Sequence, residues 1–506
     1  MVGVAGRSRG CKTCRQARVK CDDAYPICKR CSRLKLTCSG RNPYPVFVDG
    51  LSHLQIRAED DDNCLPSQQG DVPRGICRTP IATIRRPPTA NYNEIFLSHL
   101  VKNLLSEKGI GDQSSRITDW VVATTQSNLQ TPTSQLAVGA FAAGYYGKRL
   151  SDHAAMNQGS LLYVRALREI QRDLRHPERV VETMTLASSL FLAGYEITTF
   201  DNTSGWLTHF LGIGQLVKFR GPHRHQTGID RDLFLAVRSS VALAYLVRKK
   251  RCFLEEFAWK IIPWAANPGL KNSTDYLFDI FCDLPSIMED INILQGSPVA
   301  SDYSTTPLWK ALGDRIMTCL QSLYQWRVEW QEKFPETYYP VGLDRLRDMK
   351  AAQLESYPFS IAIFFTEPIR ATEICLYNCM QILLFRALDR IPRSVVPKMT
   401  PSSLYPRGII HMVNPSLLLS PGEGSIETFT SEICRMVYFQ LLSYPGSSGA
   451  MQLMFPLQVA SRNVHPESRT SKWLTGIIAL VADGYGLGAV KFADKIFADT
   501  DSFIVV

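Results

Sequence analysis

The sequence has 506 residues, of which 45% are hydrophobic and 20% charged, and its net charge is +9. This composition is typical of a globular chain of more than one domain, and it excludes wholesale disorder, a collagen-like fibre and a small disulfide-stapled toxin. A mean hydropathy of −0.07 and the lack of a charge-free apolar run of about 20 residues predict no membrane span. Because no apolar segment follows the first basic residues, we expect no secretory signal and a protein that stays inside the cell.

The excess positive charge lies in the first 41 residues. This segment holds eleven basic and two acidic side chains, whereas the rest of the chain carries 45 of each sign. Such a footprint is expected for contact with nucleic acid or another polyanion. A solubilising or sorting segment would show the same charge, so a second pattern is needed to decide between them.

That pattern is a dense repeat of cysteines. Six of the fourteen cysteines fall within 28 residues with the spacing C-x2-C-x6-C-x6-C-x2-C-x6-C. A shift of 17 positions superimposes the first three on the last three, so the segment is an internal duplication. A C-x2-C turn aims two sulfurs at one point, which is how thiolates converge on tetrahedral zinc. The predicted zinc ligands are Cys11, Cys14, Cys21, Cys28, Cys31 and Cys38.

Six thiolates predict two zinc ions that share ligands. Two separate four-coordinate sites would need eight ligands, so two sulfurs must bridge both ions, and the repeat nominates the equivalent pair Cys11 and Cys28. The alternative, three disulfides, requires an oxidising compartment. Without a secretory signal, zinc is strongly favoured. A segment this poor in aliphatic residues would depend on its metals to fold, and zinc can contribute on the order of 10 kcal/mol or more.

Residues 7–41, RSRGCKTCRQARVKCDDAYPICKRCSRLKLTCSGR, resemble the fungal binuclear zinc-cluster DNA-binding domain. The match includes the basic run between the second and third cysteines, Asp22 after the third, and Pro26 in the middle loop. The resemblance implies that the helix of the first half-repeat enters the major groove of double-stranded DNA and reads a CGG-like triplet. Arg18 stands at the base-reading position, where the family usually carries Lys; Arg offers a planar fork instead of a point charge.

The basic side chains of this segment are predicted to make two kinds of DNA contact. Arg15, Arg18 and Lys20 on one helix can reach guanine edges and phosphates. The others are placed for contacts with the DNA backbone, which supply affinity but little sequence information. These are Lys12, Lys29, Arg30, Arg33 and Lys35. An alternative for about half of the cations in the second repeat is that they neutralise the metal cluster.

Residues 42–90 are predicted to form a linker. They contain seven prolines and the acidic run 60–62, and no helical period survives such a density of helix breakers. No heptad pattern for a coiled coil follows the cysteines, so the sequence leaves a homodimer open without showing a helix that would form it.

Residues 91–498 are predicted to form a large all-α domain. Tyr163, Leu167, Ile170 and Leu174 recur in steps of four and three, and the stretch beginning at Trp206 repeats these steps. Each series makes one apolar stripe on a helix. Residues 391–425, with six prolines, are predicted to be a long inserted loop of no assigned function.

This part resembles the fungal-specific transcription factor domain that follows the zinc cluster in many regulators. The resemblance is carried by LASSLFLAGYEITTFDNTSGWLTHFLGIGQLVKFRGP (186–222), RKKRCFLEEFAWKIIPW (248–264), EICRMVYFQLL (432–442) and WLTGIIALVADGYGLGAVKFADKI (473–496). It implies a regulatory module that interacts with transcription co-regulators, and no catalytic residue carries over.

Several weaker sequence motifs are predicted to have structural roles only. His209, His223 and His225 lack a neighbouring Cys or carboxylate at ligand spacing and are predicted to hold no metal. Cys375 and Cys379, one helical turn apart, are predicted to be core cysteines in preference to a redox pair. The tail 492–506 mixes Phe and Asp as activation segments do, but the end of a packed helix is preferred.

The predicted function is a nuclear, sequence-specific DNA-binding regulator of RNA polymerase II genes. The alternative is a protein-interaction co-regulator whose zinc cluster is mainly structural. Since the sequence contains no catalytic constellation, we do not expect an enzyme.

Overall fold

The computed structural model describes most of the chain after residue 91 and part of the cysteine segment. The described residues are 13–14, 17, 19, 21–22, 28–34, 36, 38, 92–105, 116–126, 130–199, 203–296, 306–345, 356–392, 417–420, 422–444, 447–485 and 487. The predicted linker 42–90, most of the predicted loop 391–425 and the tail 492–506 lie outside them.

Helices dominate the described residues. They are α1 Lys29–Arg33, α2 Tyr92–Leu100, α3 Arg116–Gln126, α4 Pro132–Leu150, α5 His153–Asp173, α6 Thr183–Thr199, α7 Thr203–Arg220, α8 Gly228–Val247, α9 Phe257–Ile261, α10 Ser273–Phe281, α11 Leu284–Gly296, α12 Thr306–Lys333, α13 Pro368–Leu388, α14 Ile426–Ser443, α15 Ser448–Ser461 and α16 Arg469–Ala479. Two π-helical turns, Val101–Leu105 and Leu480–Gly484, extend α2 and α16.

The predicted apolar stripes face the interior. On α5, Tyr163, Ile170 and Leu174 are each less than 5% exposed, and on α7 the buried residues include Phe210 and Ile213. Local signals set the helix ends as well. For example, α4 begins at Pro132 behind the N-cap Thr131, whose hydroxyl accepts a hydrogen bond from the backbone of Ser134, as expected for a capping box with Pro at the first helical position.

The fold class, a small cluster followed by a mostly helical domain, is confirmed, and the described residues also contain a β-hairpin. Strands β1 Tyr338–Gly342 and β2 Ile361–Phe365 pair antiparallel, with Tyr338 opposite Phe365. The rings of Phe364 and Phe365 pack on Phe439 of α14 at centroid distances of 5.3 and 5.6 Å. The hairpin is thus held by its apolar contacts with a helix, because an isolated pair of strands is marginal in water.

One hydrophobic core runs through the described helical region, from Phe96 on α2 to Leu487. Helix α4 packs against α5 and α6, and α13 packs against α14. Ser447 connects early and late parts of the chain: its amide donates to the Asn103 carbonyl at 2.6 Å, and its hydroxyl lies 2.9 Å from that of Tyr145. None of the helices in the described ranges is both long and apolar enough to cross a membrane.

Candidate metal centre and nucleic-acid interface

Three cysteine sulfurs meet in the N-terminal segment. The Cys14 sulfur lies 3.7 Å from that of Cys28 and 4.0 Å from that of Cys31, and all three residues are at most 1% exposed. A disulfide would bring two sulfurs to about 2.05 Å. Ligands 2.3 Å from a tetrahedral zinc would be separated by about 3.8 Å. The observed spacing therefore fits a metal and not the disulfide alternative.

Cys28 belongs to two groups of ligand atoms. Besides the group with Cys14 and Cys31, its sulfur lies within 4.8 Å of a ligand atom of Cys21 and one of Asp22. A sulfur shared by two groups is what a bridging ligand requires, but the bridging role of Cys28 stays a prediction. Its predicted counterpart, Cys11, lies outside the described residues. Cys38 is half-buried and packs against the three clustered cysteines.

The duplication found in the sequence is also present in the backbone. Two hydrogen bonds of the first half-repeat recur 17 residues later with nearly the same lengths. The pairs are Ala17 N–Thr13 O (3.1 Å) with Leu34 N–Arg30 O (3.0 Å), and Val19 N–Cys14 O (3.1 Å) with Leu36 N–Cys31 O (2.9 Å). The backbone that follows Cys14 thus repeats in the backbone that follows Cys31, as expected for a duplicated segment.

Two side chains organise the start of α1. The Cys28 sulfur accepts a hydrogen bond from the Cys31 amide at 3.4 Å and so caps the helix. Both carboxylate oxygens of Asp22 lie 3.1 Å from the Lys29 amide nitrogen, which donates to them. This bond fixes the second half-repeat to the end of the first. The sequence marked Asp22 only as part of the resemblance and did not predict this partner.

The thiol cluster needs a cation to become a set of thiolates. The hydrogen bond from the Cys31 amide lowers the pKa of the Cys28 thiol, but burial and the neighbouring thiols raise it by more, so the net shift is upward. A divalent ion reverses this balance because it stabilises the thiolate directly. Converging cysteine sulfurs are soft donors suited to zinc, so the residues present fit the metal.

Of the predicted DNA contacts, three lie among the described residues, all on α1. Lys29 and Arg33 are exposed, whereas Arg30 is half-buried and donates to the Cys14 sulfur at 3.8 Å. The others, Lys12, Arg15, Arg18, Lys20 and Lys35, are outside the described residues, and their roles stay predictions.

Two of the histidines singled out in the sequence, His225 and His209, have structural partners. His225 is fully buried, and its Nδ1 lies 2.8 Å from the Asp230 carbonyl oxygen. Burial lowers its pKa to about 4, so this imidazole is neutral near pH 7. His209 contacts Tyr163 and Glu196 at 3.2 and 3.4 Å; the sequence did not anticipate this carboxylate, because it lies on the neighbouring helix.

Cys375 and Cys379 are core residues. Both are at most 1% exposed, and the Cys375 sulfur lies 4.0 Å from the sulfur of Met436. Burial raises the pKa of Cys375 to about 12 and that of Cys379 well above its ordinary value. Thiols held protonated in this way are poor nucleophiles, in agreement with the predicted structural role.

Comparison with protein families gives two matches. The profile of the fungal Zn(2)-Cys(6) binuclear cluster domain matches residues 9–44, and that of the fungal specific transcription factor domain matches residues 95–259. The chain matches both of these fungal domains. The matches confirm the two resemblances found in the sequence.

Relatives match this chain over short segments. An uncharacterized protein of Emericella nidulans is 33% identical over 126 residues, covering 25% of this chain and 27% of the relative. Pestheic acid cluster transcriptional regulator 3 of Pestalotiopsis fici is 48% identical over 40 residues, or 8% and 7% of the two chains. Transcription factor dibT of Pestalotiopsis microspora is 38% identical over 50 residues, or 10% and 8%.

These matches span about a quarter or less of each relative's length. No solved structure matches the chain significantly. The segments 432–442 and 473–496, which carried part of the resemblance, lie outside the matched range 95–259, yet their buried side chains belong to the same hydrophobic core. The predicted domain limits 7–41 and 91–498 therefore stay predictions.

Proposed function

We propose that this protein is a nuclear, sequence-specific DNA-binding regulator of genes transcribed by RNA polymerase II. The observation that carries the proposal is the convergence of cysteine sulfurs at zinc-ligand spacing within the segment that holds the entire net positive charge. Metal-supported folding and a basic surface are what a small DNA-binding module requires. The names of two relatives, a transcriptional regulator and a transcription factor, support the same function.

The zinc cluster is proposed to hold two ions through the six cysteines, with Cys11 and Cys28 as the shared ligands. The bound ions would cross-link the two half-repeats and fix the orientation of the basic helix. The chain itself then supplies the contacts with DNA. Arg18 is proposed to read a guanine of a CGG-like triplet, and Arg15, Lys20 and the exposed cations Lys29 and Arg33 are proposed to contact the same site or its phosphates.

Arg18→Ala is expected to lower specificity. Because a bidentate guanine contact discriminates between bases, the preferred site should lose about 1–3 kcal/mol of binding free energy while binding to unrelated duplexes changes little. Equilibrium binding to the preferred duplex and to variants with each base replaced measures this loss. Lys29→Ala is the matched control, for which we expect a uniform loss across all sequences. A uniform loss for Arg18→Ala would reassign that side chain to a phosphate.

The proposed function is tested by selection from a random duplex pool with zinc-loaded full-length protein at near-physiological salt. Enrichment of one CGG-like triplet supports the proposal and indicates a monomer. Two triplets at a fixed spacing support it and indicate a dimer formed without a visible coiled coil, since half-site spacing reflects dimer geometry. If zinc is bound and no sequence is enriched, the proposal fails and the protein-interaction co-regulator is favoured.

A further inference from the structure

One cation of the cysteine segment contacts the metal cluster. Arg30 lies on α1 in the second half-repeat, and its Nη1 donates to the sulfur of Cys14, in the first half-repeat, at 3.8 Å. The acceptor is fully buried, and Arg30 is half-buried although it follows an exposed lysine. A guanidinium in this position donates a charge-assisted hydrogen bond to a proposed zinc ligand.

The other two cations of α1 are arranged differently. Lys29 and Arg33 are exposed, and neither side chain donates a hydrogen bond to a cysteine sulfur among the described residues. The three basic residues of this five-residue helix thus divide into one turned toward the sulfurs and two turned toward solvent. Arg30 is held where it is less free than its neighbours to contact a phosphate.

We propose that Arg30 is a positioning residue of the metal cluster and not a DNA contact. This inference rests on the zinc cluster of the proposed function but not on its DNA target. Six thiolates and two Zn²⁺ carry a net charge of −2, which a nearby guanidinium offsets. Hydrogen bonds to ligand atoms from such outer residues orient the ligands and strengthen metal binding. Because its donor and acceptor belong to different half-repeats, this bond also holds the two halves together.

The repeat does not place a second guanidinium at the equivalent position. The residue that corresponds to Arg30 in the first half-repeat, 17 positions earlier, is Thr13, which carries no charge. A second hydrogen bond between the half-repeats uses a side chain of the first half: the Lys29 amide donates to the Asp22 carboxylate. Among the described residues, a carboxylate of the first half-repeat and a guanidinium of the second thus each make a hydrogen bond to the other half, in addition to the contacts between the cysteine sulfurs.

The test compares zinc release from zinc-loaded full-length protein, without DNA, on addition of a chromogenic chelator. We expect Arg30→Gln to release zinc about 10-fold faster, in line with the loss of an outer-shell partner. Arg33→Gln, on the same helix, should release zinc at the wild-type rate. Arg30→Lys keeps the charge and should restore part of the retention.

The same variants are then titrated with the selected duplex at several salt concentrations. Arg33→Gln should reduce the slope of log affinity against log salt by about one phosphate contact, and Arg30→Gln should leave the slope unchanged. Wild-type zinc release by Arg30→Gln, or a slope reduced as in Arg33→Gln, would overturn the inference. A wild-type chain that binds no zinc would overturn the proposed cluster itself, and this inference with it.

Discussion

Replacing Cys28 with Ser is expected to remove zinc from the protein and to abolish site-specific DNA binding. The sulfur of Cys28 belongs to both groups of ligand atoms, so its loss breaks both proposed zinc sites together. Serine is a favourable N-cap residue, and its hydroxyl can still accept the hydrogen bond that the Cys31 amide makes to the wild-type sulfur. The substitution therefore removes the ligand while preserving the local cap.

The expected size of this effect follows from the dependence of the module on its metals. Without them the segment should not fold, and affinity for the selected duplex should fall by about 10³-fold or more, to the level of non-specific binding. Zinc content per chain and equilibrium DNA binding measure the two outcomes. Cys14→Ser and Cys31→Ser should behave similarly.

Cys319→Ser is a control for the loss of a thiol. Cys319 lies in the core of the helical domain, so this variant protein should keep the wild-type zinc content. Two ions per chain and normal binding in the Cys28→Ser variant would contradict the proposed metal site.

The second large effect, on the stability of the helical domain, is expected from the replacement of Glu373 on α13. Its carboxylate is fully buried and accepts hydrogen bonds from Thr274 Oγ1 at 2.6 Å, Trp330 Nε1 at 2.7 Å and Arg370 Nη1 at 2.5 Å. These donors lie on α10, α12 and α13. One carboxylate therefore ties together three helices of the core, and it is the buried partner of the Arg370 guanidinium.

Glu373→Ala is expected to lower the free energy of unfolding of the helical domain by about 3–5 kcal/mol, because it removes the buried carboxylate that pairs with Arg370 and accepts hydrogen bonds from Thr274 and Trp330, and leaves Arg370 with only the half-exposed Glu367. This is a large part of the stability of an ordinary domain. Denaturant unfolding followed by circular dichroism measures the change.

The chain offers a matched control on the same arginine. Glu367 also pairs with Arg370, at 3.2 Å, but its side chain is 50% exposed, so Glu367→Ala should cost less than about 1 kcal/mol. Equal losses for the two variants would show that the buried pair does not hold the three helices. In both variants zinc content should stay at the wild-type level, since the cysteines form a cluster separate from this core.

The local chemistry of the protein was predictable from sequence. The spacing of the cysteines predicted the convergence of the sulfurs of Cys14, Cys28 and Cys31, because a duplicated C-x2-C-x6-C pattern indicates a shared metal cluster even though the sulfurs that meet are 14 and 17 residues apart. Apolar periodicity similarly predicted the buried faces of α5 and α7. Both signals are regular spacings of residue types along the chain, so they can be recognised without knowledge of the fold.

The hairpin and the cross-links were decided by tertiary structure. The run IAIFF of β2 is continuously apolar and has no strand period that distinguishes it from buried helix; its partner strand begins 23 residues earlier. The contact of Thr274 with Glu373 spans 99 residues, and that of Arg30 with Cys14 joins two half-repeats. Nothing in the local sequence encodes such pairings, because a polar side chain finds its partner only after the apolar faces have packed and brought distant segments together.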